Sequence, residues 1–145
     1  MRTLLALATL VAGFTSSTSA AVIPFAMRGG EVSVTVSYMG KGPVDATHEI
    51  WVFLSDTTPL RGTKPMMTVT LKKSGDTAVF KGVTQDPSYV AVAYDEIGDY
   101  DGTAGPPPVG TPIAYYSTDG KNASPLKTAG GAKIRICFND ARRVQ

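Results

Sequence analysis

The stretch YVAVAYDEIGDYDGTAGPPPVGTPIAYYS, residues 89–117, decides how the rest of the chain is read. It opens on an alternation in which Val90, Val92 and Tyr94 share one face, the mark of a half-buried strand. Four acids follow within seven residues: Asp95, Glu96, Asp99 and Asp101. A Gly/Pro-rich connection then runs from Gly105 to Pro112, and Ile113 to Tyr116 restores a short aromatic strand. The stretch is therefore strand, acidic turn, stiff crossover, strand.

Working outward, the flanks repeat the same grammar. Residues 31–38, EVSVTVSY, alternate so that Val32, Val34, Val36 and Tyr38 face one way and Glu31, Ser33, Thr35 and Ser37 the other. Gly40, Gly42 and Pro43 favour a turn and end that strand. Residues 49–54, EIWVFL, form a continuous apolar run, which suits a central strand covered on both faces. Trp51 and Phe53 share a face there and are expected to supply large parts of the core. Met67, Val69 and Leu71 alternate with Thr68, Thr70 and Lys72. After the turn at residues 73–76, a strand around Val79 and Phe80 runs to Val83, and the two read as a hairpin. Lys133 to Phe138 closes the chain with Ile134, Ile136 and Phe138 facing inward. Seven short strands and no helical period predict an all-β, antiparallel Greek-key sandwich.

The N-terminus reads as a targeting segment. Arg2 precedes an eleven-residue apolar run, Leu4 to Phe14, and small residues lead to Ala20 and Ala21. A membrane span needs roughly 20 apolar residues, so a cleaved secretory signal over residues 1–20 is the expectation, with a secreted or periplasmic product. Its removal leaves 125 of the 145 residues, enough for one domain. The division expected is a flexible segment over 21–30, a domain over 31–140 and a tail over 141–145. Without Arg2 the charge is 13 Lys+Arg against 12 Asp+Glu, a net +1. That balance gives no electrostatic case for nucleic acid or an anionic membrane. Cys137 is the single cysteine, so no internal disulfide can form.

The acid cluster carries the most chemistry. Gly98 and Gly102 allow the sharp turns that bring carboxylates together, and hard cations take six to eight oxygens. Asp95, Asp99 and Asp101 are thus candidate calcium ligands, although the spacing fails the EF-hand pattern, since Ile97 falls where a ligand belongs. The alternative is an acidic turn whose side chains accept from nearby amides. Prolines 106–108 stiffen the crossover but lack the PxxP spacing that aromatic grooves read. Glu96, Tyr100, Pro106, Pro107, Pro108 and Tyr115 form the candidate binding surface around this loop.

With those residues in view, Phe80 to Ser117 resembles small exported bacterial domains with a prealbumin-like sandwich (transthyretin-like or carboxypeptidase-regulatory-like), of unknown function. The matching residues are Tyr89-Val90-Ala91-Val92-Ala93-Tyr94-Asp95-Glu96, then Gly98, Asp99 and Asp101, then Gly110-Thr111-Pro112. Such families often place Asn where Ile97 stands. The resemblance implies a seven-stranded sandwich in an exported protein with no assigned catalysis.

The remaining reactive residues are isolated. His48 is the only histidine; Asp45 and Glu49 lie nearby, but no Gly-x-Ser-x-Gly elbow accompanies them. Zinc would need further His or Cys ligands. Cys137 has the opposite parity to Ile134, Ile136 and Phe138 and lies beside Lys133 and Arg135, whose charge would lower its pKa and make it reactive; the alternative is a small residue packed beneath a loop. Asn122-Ala123-Ser124 marks a surface loop. The expectation is a non-enzymatic exported binding or accessory module for a protein or glycan partner. A calcium-dependent binder and a carboxylate hydrolase are the alternatives.

Overall fold

The computed structural model describes residues 29–59, 64–102 and 105–145. The leader expected at residues 1–20 lies outside the described residues. Seven strands and no helix appear: β1 (Gly30–Tyr38), β2 (Ile50–Ser55), β3 (Met67–Leu71), β4 (Thr77–Val83), β5 (Tyr89–Tyr94), β6 (Ile113–Tyr115) and β7 (Ala132–Phe138). They form a three-stranded sheet in the order β4-β1-β7 and a four-stranded sheet in the order β3-β2-β5-β6. The architecture is the all-β sandwich that the alternation predicts.

The interior follows from parity. Val32, Val34 and Val36 of β1 meet Ile50, Val52 and Leu54 of β2 and Val90, Val92 and Tyr94 of β5 in one buried cluster. Phe80, Ile136 and Phe138 complete it from β4 and β7. Each such side chain, fully withdrawn from water, stabilises the fold by about 1.5–3 kcal/mol. At one end, Tyr38 stacks on Tyr94 with ring centroids 4.1 Å apart. The Tyr94 hydroxyl donates to the Pro43 carbonyl at 2.6 Å, and the Tyr38 hydroxyl donates to Asp140. Burial, and next the bond to Asp140, push the Tyr38 phenol well above its usual range.

Three expectations are corrected. First, β1 and β7 pair in parallel, from Val32↔Ala132 to Tyr38↔Phe138, so the sandwich is not wholly antiparallel. The first and last strands are joined through the whole intervening chain, which supplies the long crossover that a parallel pair requires. Second, β3 and β4 are not a hairpin: they lie in different sheets. The turn between them is pinned to β1 instead, Gly75 N donating to Val36 O at 2.7 Å and Ser74 Oγ to Tyr38 O at 3.1 Å. Alternation shows that each strand has an inward face, and strands facing each other across a core satisfy it as well as strands side by side. Third, Trp51 and Phe53 leave the main core. They point to the outside of the four-stranded sheet and pack with Ala91, Ala93, Tyr100, Ile113 and Tyr115.

The C-terminal segment is also more ordered than a tail. Gly110 N donates to Val144 O, Val144 N to Thr111 O and Ile113 N to Arg142 O, each at 2.9 Å. Residues 142–144 thereby lie antiparallel to residues 110–113, the segment that leads into β6, through an isolated bridge at Pro112↔Arg143.

Candidate functional site

The outer face of the four-stranded sheet is a trough. Two cross-strand rows make its floor: Phe53–Ala91–Tyr115 and Trp51–Ala93–Ile113. Opposed side chains in neighbouring strands stand about 4.5–5.5 Å apart at Cβ, so an alanine between two large residues leaves a channel along β5. Tyr100 closes one end, its ring packed edge-on against Trp51 with centroids 5.1 Å apart and its hydroxyl donating to the Gly105 carbonyl at 2.9 Å. Gly102 lies against the Trp51 ring so closely that a Cβ there would stand 2.2 Å from Cζ3. The Trp51 indole N–H is buried and has no acceptor among the described residues.

Four segments wall the trough into a space of about 1260 Å³. Thr58, Pro59, Lys64 and Pro65 come from the β2–β3 connection, and Gly105, Pro106 and Pro107 from the β5–β6 connection. Lys121 to Ala123 and the C-terminal Ala141 to Gln145 supply the rest. Specific bonds hold three of these walls. Asp119 accepts from the Ser117 hydroxyl and the Lys121 and Asn122 amides, each at 2.8 Å, and from Asn122 Nδ2 at 3.1 Å. These donors, the Asn122 amide foremost, hold its carboxyl far below the usual range. The asparagine of the Asn-Ala-Ser triplet is thus engaged, and Ser124 accepts from Thr118 N at 2.9 Å. Arg142 lies over the Tyr115 ring, 5.4 Å from its centroid, and donates to the Lys121 carbonyl at 2.8 Å. Arg143 bonds Glu96 Oε2 and the Gly110 carbonyl, each at 2.7 Å, which fastens the acidic turn, the proline loop and the C-terminal segment together.

The residues picked from the sequence divide between this trough and a smaller notch. Tyr100, Pro106, Pro107 and Tyr115 line the trough. Asp95, Glu96, Asp99 and Pro108 line the notch, whose rim carries the exposed Ile97 and Val109. Asp95 is buried, and both its oxygens are used: Oδ1 accepts from Gly98 N at 2.8 Å and Oδ2 from Tyr100 N at 3.0 Å. That is the turn-building role open to an Asp at a strand end. Asp101 is exposed and, after burial, is the further cause raising the Tyr100 phenol. No three His, Cys, Asp or Glu side chains among the described residues are grouped to hold a metal ion. His48 Nδ1 lies 3.1 Å from Asp45 Oδ1 at the surface, and Cys137 is exposed on β7. Sequence reading missed Phe53, Ala91, Ala93, Lys64, Lys121 and Arg142 as site residues. The available signal was the apolar character of both parities in IWVFL and YVAVAY, where one buried face needs only one.

Comparisons of the chain with protein-family models, with curated proteins and with solved structures return no match. Among the described residues no helix is long and apolar enough to cross a membrane.

Proposed function

We propose that this protein is an exported, non-enzymatic binding module of the prealbumin-like kind, and that its ligand lies in the trough on the outer face of the four-stranded sheet. One observation carries the reading: a buried to half-buried aromatic and alanine floor, fronting a space of about 1260 Å³ and framed by four walls. Loops cover this apolar face only in part, and the area still open at half-buried Ile113 and Tyr115 is what a partner would bury. The trough's volume exceeds the roughly 300–1,000 Å³ of ordinary small-molecule pockets, which suits an elongated ligand lying along β5. The polar groups nearby serve architecture. Asp95, Asp119 and Glu96 each tie down a loop, which fits a rigid receptor better than a reacting centre.

The test is fluorescence of the neutral apolar dye N-phenyl-1-naphthylamine. Ala91→Trp fills the channel between Phe53 and Tyr115 and lowers dye affinity at least about tenfold, equal to roughly 1.4 kcal/mol. Ser33→Trp places the same side chain on the opposite outer face and leaves dye binding unchanged. Equal loss in both variants, or dye bound equally well by Ala91→Trp, would move the site elsewhere.

A further inference from the structure

The charged side chains on the rim of the trough share one sign. Among the described residues Lys64, Lys121, Arg142 and Arg143 line it, and no Asp or Glu side chain does. These four cations come from three separate segments of a chain whose overall charge is nearly balanced. Arg143 is already matched, because Glu96 takes its guanidinium. Lys64, Lys121 and Arg142 enter no ion pair among the described residues. Arg142 is nonetheless held in place: the Tyr115 ring lies beneath its guanidinium and the Lys121 carbonyl accepts from Nη2. A guanidinium fixed by a ring and one acceptor keeps further N–H groups for a carboxylate, which its planar fork matches. Tyr115 also belongs to the floor, so the cation stands at the margin of the apolar row Phe53–Ala91–Tyr115.

We infer that the trough takes an amphipathic anion, a long apolar body ending in a carboxylate, with the body on the Phe53, Ala91 and Tyr115 row and the head at Arg142 and Lys121. This rests on the binding reading above. Charge complementarity selects the occupant: a neutral body gains only the floor, and a cationic head meets repulsion from three unpaired cations. The head sits at a partly exposed rim, so its contribution weakens as salt rises.

The experiment displaces N-phenyl-1-naphthylamine from the full mature protein with three ten-carbon probes below their micelle concentrations: decanoate, decanol and decylamine. Decanoate is expected to bind about tenfold tighter than decanol, and decylamine weakest. In Arg142→Gln the decanoate-to-decanol affinity ratio falls from about tenfold to about threefold or less, and reading the ratio cancels any change that the loss of the Tyr115 contact makes to both probes alike. Lys121→Gln acts in the same direction more weakly. Arg142 is exposed and its backbone bond to Ile113 survives the substitution, so the variant's thermal transition should match the parent's. Equal affinity for the three heads, with dye still bound and still lost in Ala91→Trp, would overturn the anion inference and leave the trough standing. Absence of dye binding to the parent protein would overturn the trough itself. Sedimentation with phosphatidylglycerol vesicles but not phosphatidylcholine vesicles would replace a free amphiphile by a bilayer surface and overturn the inference as stated.

Discussion

The two outer faces of the sandwich are built on the same period of two and end up as opposites. On the three-stranded sheet, β1 sends Ser33, Thr35 and Ser37 outward, and β7 sends Lys133, Arg135 and Cys137. Small hydroxyls and long cations keep most of that face in water, with Val79 of β4 an exposed apolar exception. On the four-stranded sheet the same outward positions hold Trp51 and Phe53, Ala91 and Ala93, Ile113 and Tyr115. Only β3, with Thr68 and Thr70, returns to the polar pattern at the edge. Both faces lie behind the same valine-rich interior, so the difference owes nothing to folding the core. The apolar face is a second, smaller packed cluster, and among the described residues the segments 58–65, 105–107, 121–123 and 141–145 stand around it.

The sharpest way to break that contrast is to truncate one residue on each face. Phe53 is 9% exposed, and Phe53→Ala is expected to cost about 3 kcal/mol, the lower end for a buried Phe because one side of the ring faces open space. Thr35→Ala removes an exposed hydroxyl bonded to Thr77 at 2.8 Å and should stay within roughly 0.5 kcal/mol. Urea titration of both variants checks the pair. Equal costs would mean that the two faces are energetically alike and that the trough is not a packed structure.

A finer test uses two glycines with nearly the same backbone. Gly82, on β4 of the three-stranded sheet, has φ +70° and open space where a Cβ would go. Gly102 has φ +69°, but its Cβ would meet the Trp51 ring. Both Ala variants carry the left-handed penalty of roughly 1–2 kcal/mol, partly offset through the unfolded chain. Gly102→Ala adds overpacking of roughly 1–3 kcal/mol. The measured difference between them isolates the contact that seats the loop on the floor. No difference in thermal unfolding would mean that Trp51 and the loop shift freely past each other.

Much of this was legible in the chain. Period-two alternation in EVSVTVSY and KIRICF places every inward valine, isoleucine and phenylalanine correctly, because a strand with one buried face writes that face into its sequence. Strands apolar on both parities are different. IWVFL shows two covered faces and cannot say which is the core, so Trp51 and Phe53 read as interior. Ala91 and Ala93 read as spacers, since a channel exists only once β2 and β6 are known to flank β5. Lys64, Lys121 and Arg142 lie too far apart in the chain to be seen as one rim. The acid cluster shows the converse problem: its composition admits a metal site and an amide-bonded turn alike, and only coordinates reveal that both Asp95 oxygens already have amide partners.

The smallest effect expected concerns the wall that carries Lys121, and it has a sign. Asp119 ionises in the unfolded chain near 3.8, while its four donors hold the folded carboxyl lower. A depressed carboxylate contributes stability that is complete above 3.8 and is lost as the pH falls below it. The loop is exposed and water screens it, so Asp119→Ala should lower the urea midpoint only slightly at neutral pH. That deficit should shrink as the pH drops below 3.8, where the parent's own carboxylate becomes protonated. Decanoate affinity, which uses Lys121 and Arg142, should fall in the variant at neutral pH while decanol affinity does not. A deficit that persists unchanged in acid would show that Asp119 acts through chain stiffness and not through its charge. The basic rim would then be positioned by something other than this turn.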